Sequence, residues 1–390
     1  MMPLTVPAEI DKYFYNRQTD IKRISLQLNS IFENLPCQLL ITGQRGVGKT
    51  FLLKKILNDQ NDDVLTMYLD ISRVYSKYGG QISEEAVLKE MLIQYNEIIN
   101  DLNNNSIKAR FNNLVNSLKL KDYDFSDANN FFEIPLPKIK ENYQKLSEFV
   151  MEMPQKIVDS SDGIRGIIIV IDEFQQLKYV DNPNAFFWLF RSFLQDQRNV
   201  AYVFTGSVSR TADVIEMING QTGAFGGRMI QIDIEAFSRE ETFDYISERA
   251  HAIQFTDEGF ERFYRCTRGV PAYINAFCNV LDSGIVYDED LVKESFYLKM
   301  DQIIIMWLYV WGNLNDSEKD IIRLLVDYGD LRLSEIVDNL DLSKATVIKY
   351  LDSLSNKAIV DYRDRKYFIG DAMLKTWLKH KRETEGYYPS

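Results

Sequence analysis

"GQRGVGKT", residues 43–50, lies between the apolar stretch "QLLIT" (38–42) and the run "FLLKKIL" (51–57). By average residue frequencies, a Gly-x-x-x-x-Gly-Lys-Thr pattern arises by chance in about one per cent of chains of this length. Its surroundings lower that further. The apolar run before it reads as a buried strand and the run after it as the start of a helix. In that setting the backbone N–H groups of residues 45–50 can surround an anion at a helix N-terminus, where the helix dipole favours negative charge. Gly43, Gly46 and Gly48 let the backbone come close. Lys49 would reach the β- and γ-phosphates, and the Thr50 hydroxyl would complete a Mg²⁺ shell. The expected nucleotide-binding run is Gly43, Gln44, Arg45, Gly46, Val47, Gly48, Lys49, Thr50 and Phe51.

The chain around this motif has 390 residues, too many for one hydrophobic core, so two or three domains are expected. Its 45% hydrophobic content marks a packed chain and not a disordered one. Cys37, Cys266 and Cys278 are too few and too far apart for a disulfide framework or zinc, which points to a reducing, cytoplasmic setting. The amino-terminal "MMPLTVPAEI" lacks the basic region and apolar core of a signal peptide, and apolar runs such as "IIIMWLYVW" (303–311) are too short to span a bilayer, so no membrane role is expected. A net charge of −12 argues against wholesale wrapping by nucleic acid, while a local basic face stays compatible with it. His251 and His380 alone leave little for histidine catalysis or metal binding.

Ile21, Ile24, Leu28, Ile31 and Leu35 recur at helical spacing over 18–35. Five short apolar runs follow: 38–42, "VLTMYL" (64–69), "GIIIVI" (166–171), "VAYVFT" (200–205) and "RMIQIDI" (228–234). Most are continuous and not alternating, as parallel strands covered on both faces are, and helical patterns separate them. The alternation predicts a doubly wound α/β domain. About a hundred residues between the second and third runs exceed any crossover. They read as a helical insertion at about 80–160, or, around "NNNSIKARFNN" and "DYDFSDANN", as a partly disordered excursion. Beyond "IEAFSREE" the strand signals stop. Residues 238–282 read as short helices capped at Ser238 and Thr256, followed by one helix at about 288–312. From Asp316, three helical patterns and the hairpin "IVDYRDRKYFI", turning at Asp364 and Arg365, form the outline of a winged helix. The expected domains are 1–236, 237–312 and 313–390.

Two further stretches supply chemistry. "GIIIVIDEFQQL" ends a strand in Asp172 and Glu173, two carboxylates at the same sheet edge as the phosphate loop. Asp172 would hold Mg²⁺ through water, and Glu173 would accept a proton from the water attacking the γ-phosphate. "AYVFTGSVSR" would set Thr205 or Ser207 between the carboxylates and the γ-phosphate, where such a group can sense that phosphate, or is simply a turn. Arg228, in "GAFGGRMIQI", either faces a γ-phosphate on this or a neighbouring copy or caps a strand in solvent.

With these residues quoted, the chain resembles the archaeal ATPase family of phosphate-loop proteins, close to the STAND and origin-recognition AAA+ ATPases. The resemblance rests on "YNRQTDIKRI", the loop, "VIDEFQ", "FTGSVSR", Arg228 and "RGVPAYI", and on the winged-helix outline. It implies a P-loop NTPase fold, a parallel five-stranded sheet in the order 5-1-4-3-2 with a helical lid and a C-terminal winged helix, and ATP or ADP as the bound nucleotide. It also implies that Asn16 and Arg17 lie by the adenine, that Gly269 and Pro271 bring the lid to the nucleotide, and that Arg268 senses phosphate. The catalytic set is then Glu173, Lys49 and Arg228.

Lys344 and Lys349 on the third C-terminal helix, with Arg363, Arg365 and Lys366 on the hairpin, would contact phosphates on both sides of a major groove. Asp341 and Asp352 offset them, so duplex DNA, a protein partner and docking within the chain remain alternatives. The reading that follows is a Mg²⁺-dependent ATPase switch whose nucleotide state positions the winged helix. Its alternatives are a DNA-binding regulator with structural nucleotide and a STAND-type scaffold that binds protein or self-associates.

Overall fold

The structure is a computed structural model that describes residues 2–101, 143–161, 163–207 and 213–389. The Asn-rich and Asp-rich middle of the expected insertion lies outside the described residues. Five strands, β1 (Cys37–Thr42), β2 (Val64–Asp70), β3 (Gly166–Asp172), β4 (Val200–Thr205) and β5 (Ile230–Asp233), form one sheet in the order 2-3-4-1-5. Every pairing in it is parallel, and the order is the expected one read from the other edge.

β3 shows why a continuous apolar run becomes a central parallel strand. Ile168 and Val170 point into a core beneath the helices Gln18–Leu28 and Lys49–Asn58. Ile167, Ile169 and Ile171 point the other way, into a core filled by helices Glu84–Asp101, Tyr143–Asp159 and Pro183–Leu194. Alternate side chains thus serve two apolar layers, and the strand carries no polar side chain until Asp172 at its carboxyl end. The insertion contributes the helices Glu84–Asp101 and Tyr143–Asp159, which cover this second face.

A third apolar cluster is shared by the helices after residue 238 and the C-terminal segment, running from Phe263 and Phe277 through Trp307 and Trp311 to Leu351 and Trp377. Ser238 caps its helix in a reciprocal box with Glu241, and Thr256 accepts from Gly259 N at 3.1 Å, as the sequence predicts. Three expectations are corrected. The helix expected at 18–35 ends at Leu28 and tightens into a 3₁₀ turn, Asn29–Glu33, leaving Leu35 exposed. The single helix expected at 288–312 is three, Glu289–Leu298, Met300–Ile303 and Ile305–Gly312, because the breaks turn Ile303, Ile304 and Trp307 into the third core. Two short strands, Gln254–Phe255 and Val286–Tyr287, also pair where helices alone were expected.

Residues 316–369 form helices Asp316–Tyr328, Leu333–Asn339 and Lys344–Asn356, then an antiparallel hairpin, Val360–Arg363 with Lys366–Ile369. Its turn is at Asp364 and Arg365, both left-handed. A further helix, Ala372–Glu385, follows. Among the described residues no helix is long and apolar enough to cross a membrane.

Phe190 is fully buried between the rings of Phe186, Tyr202 and Phe204, at centroid distances of 5.1, 6.4 and 5.8 Å. Phe190→Ala should cost about 3–5 kcal/mol of stability, read by urea denaturation, because it opens a cavity beneath the sheet.

Candidate functional site

β1 and β3 run parallel, so the residues leaving their carboxyl ends share one sheet edge. The loop after β1 folds back over that edge, and Lys49 begins the helix Lys49–Asn58. The Lys49 side chain is buried beneath the loop, where Nζ donates to the carbonyls of Gly43 at 2.8 Å and Gln44 at 3.0 Å and to Ser207 Oγ at 3.1 Å. Burial lowers the ammonium to about 8, against the pull of Glu173 and Asp172. Of the two β4 candidates, Ser207 therefore touches Lys49. Thr205 sits beside Asp172 in strand register, with its buried hydroxyl lacking a hydrogen-bond partner among the described residues.

Thr50 Oγ1 donates to Asp172 Oδ2 at 2.9 Å, joining the loop to β3. Tyr68 on β2 donates its phenol to the same oxygen. Asp172 is buried, and that burial raises its carboxyl, with the Tyr68 and Thr50 hydrogen bonds opposing. Hydroxyl and carboxylate make an all-oxygen donor pair of the kind a hard cation takes. Among the described residues no group of three or more His, Cys, Asp or Glu could hold a metal by itself. The pair therefore suits a cation whose other ligands are phosphate and water.

Glu173 follows in a left-handed conformation at φ 53, uncommon for a residue with a Cβ. Burial, then the neighbouring Asp172, raises its carboxyl, while the field of Arg45 and the amide of Gln175 oppose this. Glu173, Arg45 and Ser207 line a cleft of about 1730 Å³ together with Lys349 and Ser353 of the helix Lys344–Asn356. That third helix also packs on the helix Asp213–Asn219, so it faces the α/β domain of its own chain.

The lead-in residues reach the loop from the other side. Arg17 donates to Val47 O at 2.8 Å and to Glu235 O at 2.7 Å and lies 4.6 Å from the Phe237 ring centroid. Asn16 donates to Glu241 at 2.7 Å, tying the lead-in to the first helix after the sheet. Phe51 meets Phe14 edge-on at 5.4 Å. Gly269 precedes, and Pro271 begins, the helix Pro271–Val280, from which Ala272 N donates to Gly46 O at 3.2 Å. Gly46 has φ +84, and a Cβ there would stand 2.8 Å from the Ala272 methyl, so the glycine permits this approach. Arg268 caps the preceding helix in a left-handed conformation with its side chain exposed. Arg228 is not brought to the loop of its own chain. It precedes β5, whose Asp233 pairs with Thr42, which puts it about 15 Å of strand away, at the amino edge of the sheet.

Sequence reading passed over the contacts that join the loop to the C-terminal segment. Gln44 Nε2 donates to Asp371 Oδ2 at 2.8 Å, as does the Tyr273 hydroxyl, also at 2.8 Å. Trp307 Nε1 donates to that hydroxyl at 2.5 Å. Asp371 is fully buried and caps the helix Ala372–Glu385 through Leu374 N at 2.8 Å. One carboxylate thus gathers the loop, the helix Pro271–Val280 and the last helix. The only local signal was the N-cap aspartate.

A family model described as an ATPase domain predominantly from Archaea matches residues 14–277. No curated protein matches the sequence. Among solved structures, the chain is similar to the Walker-type ATPase PABY2304 of Pyrococcus abyssi, at 17% identity and TM-score 0.62, over 94% of this chain and 97% of that one. It is also similar to the ORC2 protein of Aeropyrum pernix in its ADPNP–ADP complexes, at 11% identity and TM-score 0.51, over 97% and 99% of the two chains. At these identities the likeness concerns the fold.

Lys49 gives a pH signature for anion binding. With its ammonium near 8 in the free loop, it is mostly neutral at about pH 8.5, and phosphate oxygens would restore the charge. ADP binding at about pH 8.5 should therefore take up a large fraction of a proton, whereas at about pH 6.5 Lys49 is charged in both states and contributes none. Calorimetry in buffers of different ionisation enthalpy reads the difference, and equal uptake at both pH values would contradict it.

Proposed function

The chain belongs to the family of ATPase domains found predominantly in Archaea, and from that premise we propose a Mg²⁺-dependent ATPase whose bound nucleotide sets the position of its C-terminal helices and hairpin. The observation that carries this reading is the Gln44–Asp371 hydrogen bond, together with the Gly46–Ala272 contact beside it. A phosphate in the loop must draw on residues 43–50, and two of these already hold the parts of the chain that would move. The helices after 238 and the C-terminal segment share one apolar cluster, so a shift of the lid would carry the third C-terminal helix with it. On this reading the chain divides at 1–236, 237–312 and 313–390, with the last two parts moving together and the third a winged helix.

In the site, Lys49 leaves the Gly43 and Gln44 carbonyls for the β- and γ-phosphates, and the N–H groups of residues 45–50 bind the phosphate chain. Thr50 and Asp172 would hold Mg²⁺, which when bound neutralises charge on the phosphate oxygens. Glu173 accepts a proton from the attacking water; its desolvated carboxylate is a stronger base than one in solvent. Ser207, through Lys49, registers whether the γ-phosphate is present. Asn16 and Arg17 would flank the adenine, Pro271 would bring the lid to the nucleotide, and Arg268 would meet phosphate as the lid closes. Arg228, at the far edge of its own sheet, would serve the loop of a neighbouring copy.

Glu173→Gln should lower kcat by about 100-fold or more while ATP affinity is retained. Undiminished phosphate release would remove Glu173 from this role. The same assay run against protein concentration tests Arg228: turnover per chain that does not rise with concentration, or that survives Arg228→Ala, would exclude action between copies.

A second reading, duplex DNA contact, is favoured at the hairpin, because Arg363 is exposed there while the third helix faces the cleft. Replacing Arg363, Arg365 and Lys366 by Ala should weaken binding to a labelled duplex and lower the salt slope by about 0.9 per lost phosphate contact. Binding that is absent, or insensitive to salt, would leave a protein partner as the occupant.

A further inference from the structure

We infer that Gln175 is the positioning residue of the hydrolytic glutamate, an inference that rests on the ATPase reading and on Glu173 as its base. Gln175 lies in the 3₁₀ turn Phe174–Tyr179, directly after Glu173, and is buried. Its amide nitrogen donates to Glu173 Oε2. A single carboxylate on a left-handed residue at the rim of a cleft has several rotamers open to it, and this hydrogen bond selects one.

The opposite end of the amide makes the arrangement more than a local tether. Gln175 Oε1 is buried without a hydrogen-bond partner among the described residues and abuts Gly206, the residue after β4. A methyl group on Gly206 would run into that oxygen and approach the Phe174 ring. Gly206 lies between Thr205, whose hydroxyl is likewise buried and unpartnered, and Ser207, which accepts from Lys49. A buried amide oxygen without a partner is costly, because it has given up water without gaining a donor. It persists here because the amide is wedged between the glutamate it holds and the strand end that touches the phosphate-sensing lysine. Movement of Ser207 toward or away from the γ-phosphate therefore shifts Gly206 against Gln175 and re-aims Glu173. Gln175 makes the carboxylate productive only when the end of β4 is set by a complete triphosphate.

Gln175→Met keeps the length and bulk of the side chain and removes the donor. It should lower the single-turnover hydrolysis rate by about 100-fold, the scale of a misplaced catalytic group, with ADP and ATP-analogue affinity and Tm within about two-fold and a few degrees of wild type. Gly206→Ala, which alters no polar group, should reproduce the loss by displacing the amide. Because Gln175 acts through Glu173, the double variant Glu173→Gln, Gln175→Met should be no slower than Glu173→Gln alone. Wild-type hydrolysis by Gln175→Met, or an additive loss in the double variant, overturns the inference while leaving Glu173 as the base. Wild-type hydrolysis by Glu173→Gln would instead remove the parent reading, and the inference with it.

Discussion

A loop that binds phosphate through its backbone N–H groups must keep those groups uncommitted, so the rest of the protein can hold it only by its carbonyls and side chains. The contacts that the rest of the described chain makes on residues 43–47 obey this constraint, and within the loop Val47 N donates to Gln44 O at 3.4 Å. Lys49 donates to the carbonyls of Gly43 and Gln44, Ala272 to that of Gly46 and Arg17 to that of Val47, while the Gln44 side chain reaches Asp371. Beyond Lys49 and Gln44 of the loop itself, the partners Arg17, Ala272 and Asp371 come from three different parts of the chain. The lead-in segment, the helix Pro271–Val280 and the last helix are thereby fixed to one another through a turn of a few residues, and an anion that redirects those carbonyls or Lys49 disturbs all three.

The carboxylates beside the loop follow from the sheet. In a parallel sheet the strands end together, so Asp172 lies level with Thr205 on one side and Asp70 on the other. Burial then raises both Asp172 and Glu173. The Thr50 and Tyr68 hydroxyls offset this at Asp172, and Arg45, Lys49 and Gln175 do so at Glu173, so each carboxylate has its own surroundings.

Much of the α/β half was legible in the sequence because its signals are local. Five apolar runs gave the strands, the glycine motif marked the strand-to-helix turn, and "IDEF" marked the carboxyl end of β3. Tyr68 was not legible, because an aromatic residue in a strand reads as packing and only the register across to β3 turns its hydroxyl toward Asp172. The breaks that split 288–312 were hidden for a related reason. Its apolar residues fit one long helix, and the turns exist to deliver Ile303, Ile304 and Trp307 to a core shared with residues distant in sequence.

The sequence by itself determined the phosphate loop, the acidic strand end, the family and the succession of the five sheet strands, since each depends on residue type and spacing within a few turns of chain. Tertiary structure decided what the loop is joined to and which way the third C-terminal helix faces. Gln44 and Asp371 are separated by 327 positions, and neither is unusual in its own surroundings. Their hydrogen bond exists because two helices bury their apolar faces in one cluster and so bring a helix-capping carboxylate against the loop. Periodicity records that a face is buried, but not which face it meets.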